Sequence, residues 1–111
     1  RLRDLPGVCV CEPEQGVESN YAYLAVVFED EFGATRDEVH ERLAAEGVHA
    51  RKYFYPLTND FACYRGREGF DSSHTPVAAY VASHVLTLPM YADLPLEDVD
   101  FICDIVVSCA R

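Results

Sequence analysis

Tyr21-Ala22-Tyr23-Leu24-Ala25-Val26-Val27-Phe28 is an unbroken run of aromatic, aliphatic and small residues, closed by the acidic turn Glu29-Asp30-Glu31 and by Gly33. β-branched and aromatic side chains suit a pleated surface, and such a continuous run predicts a strand that is largely buried. Immediately after it, Thr35-Arg36-Asp37-Glu38 carries a capping-box pattern. There the threonine hydroxyl accepts from a free amide, and Glu38 reaches back to the cap. Val39 and Leu43 then lie four apart on one face, and Gly47 supplies the left-handed stop. The glutamates and arginines of this helix are read as its solvated face.

Outward from this strand–helix pair, the residues before Tyr21 are loop-like, with Pro6-Gly7, Pro13 and Gly16, and Val8 to Val10 forms a short edge strand. Val48 to Tyr55 reads as a second strand ended by Pro56. Residues 57 to 74 show little periodicity, and so long a loop in a small domain points to function or mobility. Thr75-Pro76 is a cap followed by proline at the first helical position. Val77, Tyr80, Val81, His84 and Val85 follow at helical spacing, as the apolar stripe of an amphipathic helix. Val85 to Leu88 is a short strand ended by Pro89. A last helix opens near Glu97-Asp98 and lays Val99, Ile102, Cys103, Val106 and Ala110 toward the core. Three helices on a small, mainly antiparallel sheet make an α+β two-layer sandwich, with residues 1–111 a single domain.

Composition narrows the class. The chain has 111 residues, half of them hydrophobic, which fits one globular domain. Nine basic against nineteen acidic side chains give a net charge of −10, which repels phosphate backbones and excludes nucleic acid as a partner. A polybasic membrane face is excluded in the same way, and no apolar run is long enough to span a bilayer. The chain opens Arg1-Leu2-Arg3 and its one methionine is Met90, so it is expected to be processed or cut from a longer chain. Cys9, Cys11, Cys63, Cys103 and Cys109 are odd in number, without a framework spacing, and read as reduced, cytosolic thiols. Cys9 and Cys11 share a strand face, yet no further Cys or His follows at metal-ligand spacing, so no metal site is assigned.

No phosphate loop, serine elbow or zinc-binding helix is present, and His40, His49, His74 and His84 are scattered. His84 lies on an apolar helical stripe, as a core or boundary histidine does. The one concentrated constellation is Ala50-Arg51-Lys52-Tyr53-Phe54-Tyr55-Pro56-Leu57. Strand alternation places Arg51, Tyr53 and Tyr55 on one face, and Lys52 and Phe54 on the other. One cation beside two phenols suits a ligand carrying phosphate and a ring, the arginine bonding the phosphate and the phenols stacking or donating. The same pattern also describes an exposed strand face with cross-strand aromatic packing.

The stretch Gly47-Val48-His49-Ala50-Arg51-Lys52-Tyr53-Phe54-Tyr55-Pro56-Leu57 resembles the C-terminal part of the DegT/DnrJ/StrS sugar aminotransferases. So do Val85-Leu86-Thr87-Leu88-Pro89-Met90-Tyr91-Ala92-Asp93-Leu94-Pro95 and Glu97-Asp98-Val99-Asp100-Phe101-Ile102, and Asn20-Tyr21-Ala22-Tyr23 is similar to the start of that family's small domain. The resemblance implies the small domain of a fold-type-I, pyridoxal-phosphate-dependent aminotransferase that makes amino sugars on nucleotide carriers, with glutamate as amino donor. It implies that the cofactor is held by a large N-terminal domain that these residues do not include, so this chain holds no cofactor and no catalytic residue. The parent is expected to be a cytoplasmic homodimer. Lys52, inside the small-domain motif, does not match the family's imine-forming lysine. Arg51, Tyr53 and Tyr55 are then substrate contacts on one wall of the cleft. The Tyr-Phe-Tyr-Pro variant resembles members that aminate dTDP-4-keto-6-deoxyhexoses at C4. The alternative is a free-standing α+β ligand-binding or regulatory module holding a metabolite on the same face.

Overall fold

A computed structural model describes all 111 residues. Its sheet has three antiparallel strands in the order β1 (Val8–Val10), β2 (Leu24–Phe28), β3 (Val85–Leu88). Val10 pairs with Val26, and Val26 in turn with Leu86, so the apolar run sits at the centre of the sheet. Alternation turns Val26, Phe28, Leu86 and Leu88 to one face, where they join Phe32, Val39, Leu43, Ile102, Ile105 and Val106 in the main core. The helices on that face are α1 (Arg36–Ala45) and α3 (Leu96–Ser108). The remaining helix, α2 (Pro76–His84), runs directly into β3. The fold is α+β, as the sequence predicts. No helix is long and apolar enough to cross a membrane.

The capping chemistry of α1 matches the reading of its sequence. Thr35 Oγ1 accepts from the Glu38 amide at 3.2 Å, and Glu38 Oε2 accepts from the Thr35 amide at 2.7 Å. At the other end Gly47 takes φ 79°. Its amide donates to the Ala44 carbonyl at 3.0 Å, and the Val48 amide to that of Leu43 at 2.9 Å, which is a Schellman closure.

Four expectations are corrected. The central strand starts at Leu24, not Tyr21. Ser19 Oγ and Asn20 Oδ1 accept from the Tyr21 and Ala22 amides, and these local bonds compete with the ladder. The strand expected over Val48–Tyr55 is reduced to one bridge, in which Arg51 and Thr87 exchange both backbone bonds at 3.0 and 2.8 Å. Beyond it the Lys52 carbonyl accepts from the Tyr55 amide at 3.0 Å, so the chain turns instead of extending, and Pro56 has no amide to offer a ladder. The apolar stripe of α2 is buried only at its C-terminal end: Val77 is 75% exposed, Tyr80 46% and Val81 37%, whereas His84 is half-buried, Val85 is buried and Ala82 faces inward. On α3 the buried stripe is Ile102, Cys103, Ile105 and Val106, and Val99 and Ala110 lie outside it.

One charge of α1 also departs from the expected solvated face. Arg36, expected on that face, is 4% exposed, the one buried ionic side chain of the molecule.

Candidate functional site

Backbone pairing assembles the site at one end of the sheet. The Arg51–Thr87 bridge lays residues 49–51 along β3, and the Leu24–Leu88 pair brings Tyr23 beside Pro89. Between them lies a hollow of about 310 Å³ whose lining includes Tyr23, His49, Arg51, Thr87, Met90 and Tyr91. A second hollow of about 440 Å³ shares His49, Pro89 and Tyr91 with it and continues toward Phe101 of α3. Each is within the size range of small-molecule sites. Arg51 is the one arginine or lysine on either wall.

The 52–55 turn forms the rim. Tyr53 packs against Tyr23 with ring centroids 5.1 Å apart, and Phe54 lies over Tyr53 at 3.9 Å. The face assignment from alternation therefore fails: Tyr53 and Phe54, expected on opposite faces, stack on one another, because the chain is turning there. Tyr55 parts from both, with its ring 4.9 Å from the Arg36 guanidinium carbon. Lys52 leaves the rim altogether, its Nζ 2.7 Å from Asp37 Oδ1 on α1. Interaction with the Tyr53 hydroxyl raises the Tyr23 phenol above its usual pKa, while Arg51 pulls it the other way. The bond from Lys52 holds the Asp37 carboxyl below the usual carboxylate range.

What this arrangement can do is bind. Arg51 offers a fork of donors to an oxyanion such as phosphate, and Tyr23, Tyr53, Phe54 and Tyr91 offer ring faces. His49, Met90 and Tyr91 were not among the residues singled out from the sequence. The signal that points to them is pairing: once Arg51 is set opposite Thr87, the residues just beyond β3 must flank it. No three His, Cys, Asp or Glu side chains converge, and Cys9 and Cys11 are exposed on and just after β1.

A lysine free to form an imine with a carbonyl cofactor is also missing from the arrangement. Lys52 is the one lysine of the sequence, and its ammonium is committed to Asp37. The residues present do not fit pyridoxal phosphate.

Residues 1–107 match the model of the DegT/DnrJ/EryC1/StrS aminotransferase family. The dTDP-4-amino-4,6-dideoxy-D-glucose transaminase of Escherichia coli is 37% identical over 96 residues, covering 86% of this chain and 26% of that enzyme. The enzyme of the same name from Shigella dysenteriae is 34% identical over 103 residues, 92% of this chain and 27% of its own length. Among solved structures, DesI in the presence of its TDP-sugar product superimposes with a TM-score of 0.84 at 35% identity, over 97% of this chain and 27% of that one. An aminotransferase of the family from Brucella abortus superimposes with a TM-score of 0.76 at 26% identity, over 96% of this chain and 26% of that one. The chain thus spans about a quarter of the length of the relatives it matches. It is a member of the DegT/DnrJ/EryC1/StrS aminotransferase family.

Proposed function

We propose that these residues are the C-terminal small domain of a pyridoxal-phosphate-dependent aminotransferase that converts a nucleotide-linked ketosugar to an aminosugar. The observation that carries this is the near-complete match of a 111-residue chain to about a quarter of sugar transaminases. In the full-length protein a large N-terminal domain would supply the cofactor lysine and the phosphate contacts. That division is supported by the commitment of Lys52 to Asp37. Glutamate is the proposed donor: its amino group replaces the sugar carbonyl oxygen, and 2-oxoglutarate leaves. The substrate is proposed to be a dTDP-4-keto-6-deoxyhexose aminated at C4, for surface-polysaccharide or antibiotic-sugar synthesis in the cytoplasm by a homodimer.

The small domain would contribute a wall. Arg51 would bond the diphosphate, with Tyr53 and Tyr55 at the rim and Tyr23 and Tyr91 offering ring faces to the base or sugar. The exposed α2 stripe supports the same reading, since a domain removed from a larger body uncovers apolar surface.

The test uses the full-length reading frame. Purified and supplied with pyridoxal phosphate, glutamate and the dTDP-ketosugar, the enzyme should form 2-oxoglutarate and aminosugar in equal amounts, while residues 1–111 alone form neither. A reading frame that starts immediately before Arg1 would instead favour the free-standing ligand-binding module.

A further inference from the structure

Arg36 is the first residue of α1, immediately after its cap. A cation there is opposed by the positive end of the helix dipole. Burying it adds a desolvation cost, which is recovered only through bonds. Its side chain points away from its own helix. Nη1 donates to the Ala82 carbonyl at 3.0 Å and to that of Val85 at 3.3 Å, at the junction of α2 and β3. Carbonyls at a helix C-terminus lack intrahelical partners and carry the negative end of the dipole, so a guanidinium suits them. The same group lies over the ring of Tyr55, its Cζ 4.9 Å from the centroid. Nε is 2.7 Å from Asp37 Oδ1, but off the N–H line, so this contact is an ion pair and not a hydrogen bond. The same oxygen of Asp37 takes the Lys52 ammonium at 2.7 Å.

One buried guanidinium is therefore linked to both ends of the rim turn. It meets Tyr55 directly and Lys52 through Asp37, and it is itself anchored at the start of β3. Lys52 and Tyr55 close that turn with their backbone bond, and Tyr53 and Phe54 ride on it. β3 also carries Thr87, the partner of Arg51. Through Arg36, the strand that places the phosphate-binding candidate and the turn that places the aromatic rim share one fixed frame.

We propose that Arg36 is the positioning residue of this site: it touches no ligand, and it sets the 52–55 turn at the registration the large substrate needs. The substrate's identity rests on the function proposed above, whereas the positioning does not. The experiment is run on the full-length protein with Arg36→Met, which keeps the apolar stem, and Arg36→Lys, which keeps the charge. Amide exchange at Tyr55 is measured relative to Val26 in β2. It should accelerate about tenfold in Arg36→Met and less in Arg36→Lys, because opening local to the turn leaves the sheet amides unmoved. The KM for the dTDP-ketosugar should rise about tenfold in Arg36→Met, with kcat and the KM for glutamate within about twofold, as removal of ground-state and transition-state binding alike requires. In a Tyr55→Ala background the same substitution should add less than about twofold, since coupled residues are not additive. Unchanged relative exchange at Tyr55 overturns the proposal. So does equal acceleration at Tyr55 and Val26, or an undiminished effect in the Tyr55→Ala background, each of which marks Arg36 as a support of the fold alone. If the wild-type protein does not use the sugar nucleotide, the functional reading fails, and the exchange arm still decides the positioning.

Discussion

At the scale of single residues, two kinds of charge have different tasks. Arg36 is buried and joins elements, whereas Glu38 is half-buried and holds an end. Glu38 accepts from the Thr35 amide and pairs with Arg111 Nη2 at 2.7 Å, which draws the C-terminus to the start of α1. The bonds from Thr35, then Arg111, lower its pKa from 4.5 to about 2. A carboxyl depressed on folding stabilises fully above its unfolded pKa and loses that contribution as pH falls through its folded value. Glu38→Gln should therefore lower the Tm near neutral pH. The gap to the wild type should close as pH falls from about 4.5 toward 2, and a gap that persists at pH 2 contradicts the assignment. Arg51, Tyr53 and Tyr55 are the proposed substrate contacts, so their substitutions are read in rates. On the proposed function, Arg51→Ala in the full-length protein should cost about 1.5–3 kcal/mol in kcat/KM for the sugar nucleotide, roughly ten- to a hundredfold. Tyr53→Phe and Tyr55→Phe should each cost about 0.5–1.5 kcal/mol. The half-reaction with the amino donor should be unaffected by all three. If the sugar half-reaction is equally indifferent, these three side chains are structural.

At the scale of elements, close approach decides more than propensity. Gly7 leads into β1 with φ 69°, and a Cβ there would lie 2.1 Å from the Phe32 amide nitrogen, in the turn that follows β2. Gly7→Ala meets both a disfavoured backbone region and rigid backbone atoms, so a loss of at least about 2 kcal/mol is expected in denaturant unfolding. Gly16→Ala, with the same sign of φ but no atom within 4 Å, should cost visibly less. Nothing in the sequence distinguishes these two glycines; only the fold brings the Phe32 turn to one of them. The same contrast runs through the rest of the chain. Strand β2, the cap at Thr35, the stop at Gly47 and the order of the three helices were legible, because each depends on residues within a few positions. The end of the strand expected at 48–55 was not legible, because a β-prone composition does not reveal that the Tyr55 amide turns back to donate to the Lys52 carbonyl. The face assignment failed with it. Arg51 still falls in the hollow because its pairing with Thr87 survives, but the partners Tyr23, His49 and Tyr91 come from other segments. Arg36 was invisible for a similar reason: nothing in Thr35-Arg36-Asp37-Glu38 says that the carbonyls of Ala82 and Val85 are near.

At the scale of the molecule, stability is unevenly spread. The main core lies between the sheet and the pair α1 and α3, whereas residues 57–75 include no buried side chain. That segment is not shapeless: it has 3-10 turns at Thr58–Asp60 and Ser72–His74, and Tyr64 stacks on Phe70 at 5.3 Å. Yet its backbone bonds are local, such as Phe61 to Thr58, Tyr64 to Phe61 and Phe70 to Arg67, and none ties it to the sheet. Phe61 and Phe70 are each more than two-fifths exposed, as are Val77 and Tyr80 on the helix that follows. A segment held by short-range bonds with little apolar burial opens at low cost. In residues 1–111 the amides of 57–74 are expected to exchange at least about a hundredfold faster than those of Val26 and Val27, whose opening approaches the global one. In the full-length protein the proposed large domain would cover this side of the molecule, and protection near Phe61, Phe70 and Tyr80 should rise while that of β2 stays as it was. Two results would count against this view: protection over 57–74 equal to that of Leu24–Phe28 in the short chain, or no gain there in the long one. The second would also show that the exposed stripe of α2 is not a surface that the rest of the enzyme covers.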